Sequence, residues 1–509
     1  MKKSKTRVTF HNTTIAAVYQ LIIMILGFLI PQMLLTTYGP SIHGLTSTIA
    51  NIMSYVSLLN AGLATASVQA LYAPLTSGET SRINEVLNAI RKFYIKTGFY
   101  FVIAITLIAF ILPYFINEVP SNTVFLLMVS MGLTLTFETF LASKSKAMLI
   151  ADQKMYIYSL CNIISMVFRG ILQIILIKFQ ASIILVQIIP AIMVILTVVL
   201  MNRYVKLNYP FLNKKIKPDM SALNKRWSAF THQIAGLVVN NTDVLILTVF
   251  GNMVLVSIYS VYHLVFTYLY SLLTFVFSQS IMASFGHMLA SNEINQMKIA
   301  YNKYEQIYYM FISIIYSVCA VMIVPFVNLY TSGVEEVNYT DNILATLFVV
   351  VSIFNNLRVP GGTLINSGGY YKETQWRAIT EAIINIIASL ILVQFYGMYG
   401  ILFGTILSFL YRTSDIIFYS NKRILKQSPT KTIKRSVIVV IIVLINVFLF
   451  KYLINMESES WLSWCVNSAI VTAIASFMTF IVNFIFENKI TKEILVIVQR
   501  IINHKIKRV

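Results

Sequence analysis

The sequence predicts an all-α, polytopic membrane protein with about fourteen transmembrane helices. Three observations carry that prediction. Of the 509 residues, 57% are hydrophobic and only 11% charged, where a soluble domain carries about 25% charged residues. Mean hydropathy is +0.75. Apolar stretches of membrane length recur along the whole chain, and with only 11 prolines and 19 glycines they leave no room for soluble cores joined by linkers.

A helix needs about 20 predominantly apolar residues to cross a bilayer, because the hydrocarbon core offers an open backbone no hydrogen-bond partner. Such stretches place spans near 12–37, 45–75, 93–116, 123–143, 157–178 and 183–201. After a polar gap come 233–250, 255–285, 306–330, 343–367, 378–396 and 401–420, then 436–455 and 464–486. The first follows Lys2, Lys3, Lys5 and Arg7. It is too long for a signal-peptide core and is read as a retained helix. Pro31, Pro190 and Pro325 fall within spans and predict bends.

The net charge of +20 in a soluble protein would suggest nucleic acid. Its placement argues otherwise. With the N-terminus inside, 33 of the 39 Lys+Arg fall in inner loops and tails. The outer loops are short and carry Glu118, Glu335, Glu336, Asp341, Glu457 and Glu459. This is the positive-inside pattern, with attraction to anionic lipid, and it predicts a multi-pass protein of the cytoplasmic membrane with both termini cytoplasmic. No outer loop is long enough for a catalytic domain. Cys161, Cys319 and Cys465 sit singly in apolar stretches and form no disulfide or metal framework.

The inner connection Asn202–His232, with Tyr209-Pro210 and Lys214, Lys215, Lys217, Lys225 and Arg226, divides the first twelve spans six and six. Leu35–Gly39 after the first span matches Leu247–Gly251 after the seventh. Ser81–Tyr94 aligns with Asn292–Glu305 through Ile83/Ile294, Asn84/Asn295, Ala89/Ala300 and Lys92/Lys303. The expected organisation is therefore a six-helix lobe over 1–205, a basic cytoplasmic linker over 206–232, and a second six-helix lobe over 233–420. Two extra helices and a basic tail follow over 421–509. Because six is even, the lobes share one orientation and are related by a pseudo-two-fold axis along the membrane normal, an arrangement typical of alternating-access transporters.

Two six-helix lobes plus a terminal pair resemble the polysaccharide flippases of the multidrug/oligosaccharidyl-lipid/polysaccharide exporter superfamily. Ala151-Asp152-Gln153-Lys154-Met155-Tyr156 is similar to the family's Ala-Asp-Gln-Lys-x-Tyr turn. Asn241-Thr242-Asp243 and Ser257-x-Tyr259-x-x-Tyr262 look like further family features. The resemblance implies flipping of an undecaprenyl-pyrophosphate-linked oligosaccharide, a surface-polysaccharide repeat unit, from inner to outer leaflet. It also implies polysaccharide polymerase or assembly proteins as partners. No cofactor is expected beyond a coupling Na+ or H+.

Charges inside spans are costly and usually face a cavity or a partner. Arg169, Arg358 and Arg412 are the candidate substrate-binding residues, since a guanidinium offers a planar fork of donors to a pyrophosphate. Alternatively they pair locally; Asp415 lies one turn from Arg412. Asp243, with Glu381 and Asn385 four apart on one helix face, is the candidate cation-coupling set. The competing reading bonds Asp243 to Asn240 or a hydroxyl and takes Glu381 to the inner interface near Arg377. Glu138 reads as an interfacial or helix-pairing acid. His43, His263 and His287 sit alone and read as packing residues, and Trp461 and Trp464 suit the outer interface belt. No phosphate-cradling Gly-rich loop, HExxH or nucleophile triad appears, so ATP use and hydrolysis are not expected. The rival functions are a cation-coupled multidrug or small-solute exporter and, from another class, an integral-membrane glycan polymerase or acyltransferase.

Overall fold

The computed structural model describes residues 5–60, 63–221, 227–450, 458–487 and Lys492. Lys2, Lys3, Lys225, Arg226, Lys489, Arg500, Lys505, Lys507 and Arg508, part of the expected basic inner surface, lie outside these. The described residues form sixteen α-helices and no strand. They run α1 Lys5–Val56, α2 Leu63–Ser77, α3 Thr80–Ile111, α4 Ser121–Phe137, α5 Ser143–Ala151, α6 Met155–Lys178, α7 Ile183–Asn208 and α8 Trp227–Phe250. Then come α9 Met253–Ala290, α10 Ile294–Tyr330, α11 Asn342–Leu357, α12 Val359–Ser367, α13 Tyr371–Tyr396, α14 Met398–Phe418, α15 Thr430–Leu449 and α16 Trp461–Phe486. Twelve stretches of helix among the described residues are long and apolar enough to cross a membrane, and Gly236–Phe250 is a shorter apolar helix. The described residues of the fourteen expected spans fall almost entirely on helix.

The spans are less regular than the sequence pattern alone implies. No loop separates the first two; helix continues from Lys5 to Val56, broken only where Gly39 takes φ 83, ψ 171 ahead of Pro40. The second span, expected to be continuous over 45–75, instead breaks after Val56 into a 3-10 turn, Ser57–Asn60, before α2 begins. The fourth span passes through a π-helical turn, Glu138–Ala142, between α4 and α5. The tenth breaks at Arg358, where Pro360 begins α12 without an N–H to continue the ladder.

Helix reversals repeat along the chain. Residues with positive φ close three turns in the first half, Gly78 (75°), Gln153 (58°) and Gln180 (52°). Asn292 (56°), Gly369 (68°) and Gly397 (55°) close the three turns that follow the matching helices of the second half. A left-handed residue satisfies orphan carbonyls at a helix C-terminus, so the self-similarity of the sequence reappears as repeated turn geometry.

Packing divides the chain into two compact units, one of residues 1–261 with 393–401 and one of 262–392 with 402–509. In the first, α1 packs on α6 and α8, and α7 packs on α4 and α6. The Ala-Asp-Gln-Lys-x-Tyr turn is a clasp in this unit. Tyr209, just past α7, donates to Asp152 at 2.5 Å. Lys154 reaches both the Asp152 carboxylate (2.8 Å) and the Tyr209 hydroxyl (3.0 Å). Burial, with the Asp152 carboxylate bonded to it, raises the Tyr209 phenol above its ordinary range and keeps it protonated. Asn12 accepts from the Tyr156 N–H and donates to the Gln153 carbonyl. The linker beyond Tyr209 is tied to α3: Asn84 and Asn88 bond the backbone of Phe211, Asn213 and Ile216, and Arg82 pairs with Asp219 at 2.7 Å.

In the second unit α10 is flanked by α15 and α16. The α13–α14 hairpin is close-packed at Gly404, where a Cβ would lie 2.3 Å from Ser389 Oγ and 2.5 Å from its backbone N.

Candidate functional site

The second unit holds an alternating chain of five charges. Arg358, at the α11–α12 break, bonds Glu381 on α13. The other oxygen of Glu381 meets Nε of Arg412 on α14 at 3.3 Å. Arg412 Nη1 donates to Asp415 at 2.9 Å, and the second Asp415 oxygen accepts from Arg377 on α13. Asn355 Oδ1 accepts twice from Arg358, at 2.6 and 3.0 Å, and the Phe409 ring lies 4.3 Å beneath that guanidinium. Glu381 and Arg412 are buried, at 6% and 8% exposure. Three guanidiniums against two carboxylates leave one net positive charge, with donors beyond those the carboxylates use.

Of the six candidate residues, this places Arg358, Arg412 and Glu381 together. Asn385, one turn beyond Glu381, donates to Thr405 Oγ1 at 3.0 Å, and its buried Oδ1 has no hydrogen-bond partner among the described residues. Asp243 lies in the first unit, where Tyr259 donates to it at 2.8 Å. Neighbouring polar groups are likewise engaged: Tyr55 with Thr242 (2.6 Å), Thr48 with Thr248 (2.9 Å) and His43 Nδ1 with Ser257 Oγ (2.7 Å). Arg169, half-buried on α6, donates to Gln173 at 3.1 Å.

Other charges fall just outside the expected spans. Arg377 is one, although its place four residues before Glu381 already puts both on one face. Lys146 bonds Glu138 at 3.1 Å and stands 4.9 Å from the Tyr158 ring centroid; the signal was spacing, eight residues or two turns apart. Glu305 on α10 is fully buried and accepts from Arg435 Nη1 (2.8 Å) and Thr432 (2.8 Å) on α15. Arg435 also bonds Glu487 at the end of α16 at 3.1 Å. One guanidinium thus joins the ninth span to both terminal helices. Trp464 of α16 donates to the Met322 carbonyl of α10 at 3.1 Å, adding a second tie. Among the described residues no group of three or more His, Cys, Asp or Glu is arranged to hold a metal ion.

No family model matches the chain, and no curated protein is found similar to it in sequence. Solved structures do match. The chain is similar to the lipid II flippase MurJ in its inward closed conformation, at 14% identity and a TM-score of 0.69, over 93% of this chain and 98% of that one. It is similar to an inward-facing multidrug-resistance MATE family transporter of the MOP superfamily, at 12% identity and a TM-score of 0.64, over 83% and 99%. A Vibrio cholerae MATE transporter, VcmN, matches at 15% identity and a TM-score of 0.55, over 83% and 98%. The chain therefore has the helical fold of the MOP-superfamily membrane transporters.

Proposed function

We propose that this protein is a flippase that carries an undecaprenyl-pyrophosphate-linked oligosaccharide across the cytoplasmic membrane by alternating access, without chemistry on its cargo. The observation that carries the reading is the arginine excess of the charge chain in the second unit, three guanidiniums to two carboxylates. An anionic head group is attracted by that balance, and a diphosphate can take up the guanidinium donors in bidentate fashion. A cationic drug is repelled by it. Arg358 and Arg412 are the proposed head-group ligands of the second unit, and Arg169 is proposed as a separate anion-binding residue of the first. Two helices beyond the twelfth span, tied to α10 through Arg435, accord with the broader overlap with the lipid II flippase structure, 93% of the chain against 83% for the MATE transporter.

Asp243, Glu381 and Asn385 are proposed to take part in coupling to Na+ or H+. The unbonded, buried Oδ1 of Asn385 suits a cation, whereas Glu381 must first release an arginine. Coupling and head-group release would then share one carboxylate. A second reading, a cation-coupled exporter of small solutes, is favoured by the buried Asp243–Tyr259 pair.

Deletion of the gene, followed by assay of lipid-linked glycan on the inner leaflet, tests the choice. The flippase reading expects accumulation, reversed by wild type and not by Arg169→Ala. Unchanged glycan export with gained drug sensitivity would replace it by the second reading.

A further inference from the structure

Two irregular turns of the first unit meet inside it. The 3-10 turn Ser57–Asn60 faces the π-helical turn Glu138–Ala142, and Asn60 Nδ2 donates to Thr139 Oγ1 at 3.0 Å. Irregular backbone at membrane depth is tolerated where it is buried in protein or lines a wet cavity, and π turns concentrate at functional sites. Here Ser143 Oγ donates to the Thr139 carbonyl at 2.9 Å and relieves the widened turn. Between the turns lies a cavity of about 240 Å³, lined among others by Ser57, Asn60, Tyr94, Glu138, Thr139 and Lys146. It is slightly smaller than the roughly 300–1,000 Å³ of drug-sized sites and suits a fragment the size of one sugar ring. At the matching places of the second half, α9 runs unbroken from Met253 to Ala290, and the tenth span breaks at Arg358 instead.

The lining selects a ligand class. Glu138 and Lys146 neutralise each other across 3.1 Å, and no other lining residue is charged. Lys146 opposes a cation there and Glu138 opposes a phosphate. What remains is a dense set of hydroxyl and amide groups that both donate and accept, as a polyhydroxylated ligand does. The buried Asn60 Oδ1 has no hydrogen-bond partner among the described residues. Apolar Ala64, Val68 and Leu135 complete the wall and can meet the C–H face of a pyranose.

We propose that this cavity binds one neutral hexopyranose ring of the carried glycan. The inference rests on the reading of the cargo as a lipid-linked oligosaccharide and adds a sugar subsite in the first unit to the head-group arginines.

The test uses the full-length protein in lipid nanodiscs and saturation-transfer NMR with glucose, galactose, N-acetylglucosamine, N-acetylgalactosamine and rhamnose. At least one should bind saturably at millimolar concentration. Ala64→Phe, which fills the cavity from its open side, should weaken that binding about tenfold or more, and Thr139→Val severalfold. Gly362→Ala in the second unit, where a new Cβ meets nothing within 4 Å, should leave it unchanged. Binding by none of the five, or equal binding by Ala64→Phe, overturns the site. If Ala64→Phe does not give monodisperse protein, Asn60→Ala decides, and unchanged affinity overturns the site. The cargo reading is scored separately by the deletion strain. Glycan accumulation with no sugar binding sinks the subsite alone. Saturable, cavity-dependent binding with no accumulation sinks the cargo reading and leaves a neutral-sugar site standing.

Discussion

Each buried charge in the second unit is held by a partner on another helix, and this decides what single substitutions do. Glu381 answers two guanidiniums, so Glu381→Gln leaves Arg358 and Arg412 without their shared carboxylate. Removing one partner of a buried pair typically costs about 3–5 kcal/mol, and a clear fall in thermal midpoint in detergent is expected. Arg435 offers a sharper comparison. Arg435→Met strands Glu305, fully buried, together with Glu487. The double variant Arg435→Met/Glu305→Leu removes the stranded carboxylate and should recover most of the lost midpoint, because apolar replacement of a whole buried pair is often neutral. A double variant no more stable than Arg435→Met would mean that Glu305 is not the group left unpaired. The charges themselves were legible in the sequence as Arg358, Glu381, Arg412 and Asp415. Only the Arg412–Asp415 pair, one turn apart on one helix, was legible as a partnership; the others were not, since α11, α13 and α14 come together only through tertiary packing. Glu305 and Arg435 each sit one residue outside an expected span, where a charge looks like a loop end.

At the scale of elements, hydropathy found the helical stretches, while their interruptions depended on local chemistry that hydropathy does not weigh. Gly39-Pro40 and Pro360 are visible breakers. The 3-10 turn Ser57–Asn60 and the π turn Glu138–Ala142 carry no such residue, and become intelligible only when Asn60 and Thr139 are seen bonded to each other. Small residues matter where helices nearly touch. Gly404 lets α14 approach the Ser389 backbone of α13, the two helices that bear Glu381 and Arg412. Gly404→Ala must push them apart, since the obstacle includes a backbone nitrogen rather than a flexible side-chain tip. The expected result is lower stability and weaker transport together, with Gly362→Ala, where a new Cβ meets nothing within 4 Å, as the neutral control. Stability and transport assays on the two purified variants compare them directly.

For the whole molecule, the basic residues make a claim that geometry alone does not address, namely which end faces the cytoplasm. The linker bearing Lys214, Lys215 and Lys217 and the loop bearing Glu335 and Glu336 fall on opposite sides if the positive-inside bias governs insertion. The bias counts Lys and Arg near span ends, and 33 of 39 on one side is a strong asymmetry. Replacing Cys161, Cys319 and Cys465 gives a background for single reporters. In it, Glu336→Cys should react with a membrane-impermeant maleimide on intact cells, and Lys215→Cys only after permeabilisation. The even span count then places both termini with Lys215. The opposite labelling would invert the molecule, turning the basic linker toward the outside, and the inner-to-outer flipping proposed for an anionic carrier would have to be argued in the reverse direction. Labelling of both positions on intact cells would instead remove one span from the fourteen, and Gly236–Phe250, the one expected span that is both short and preceded by a polar stretch, is the first to question.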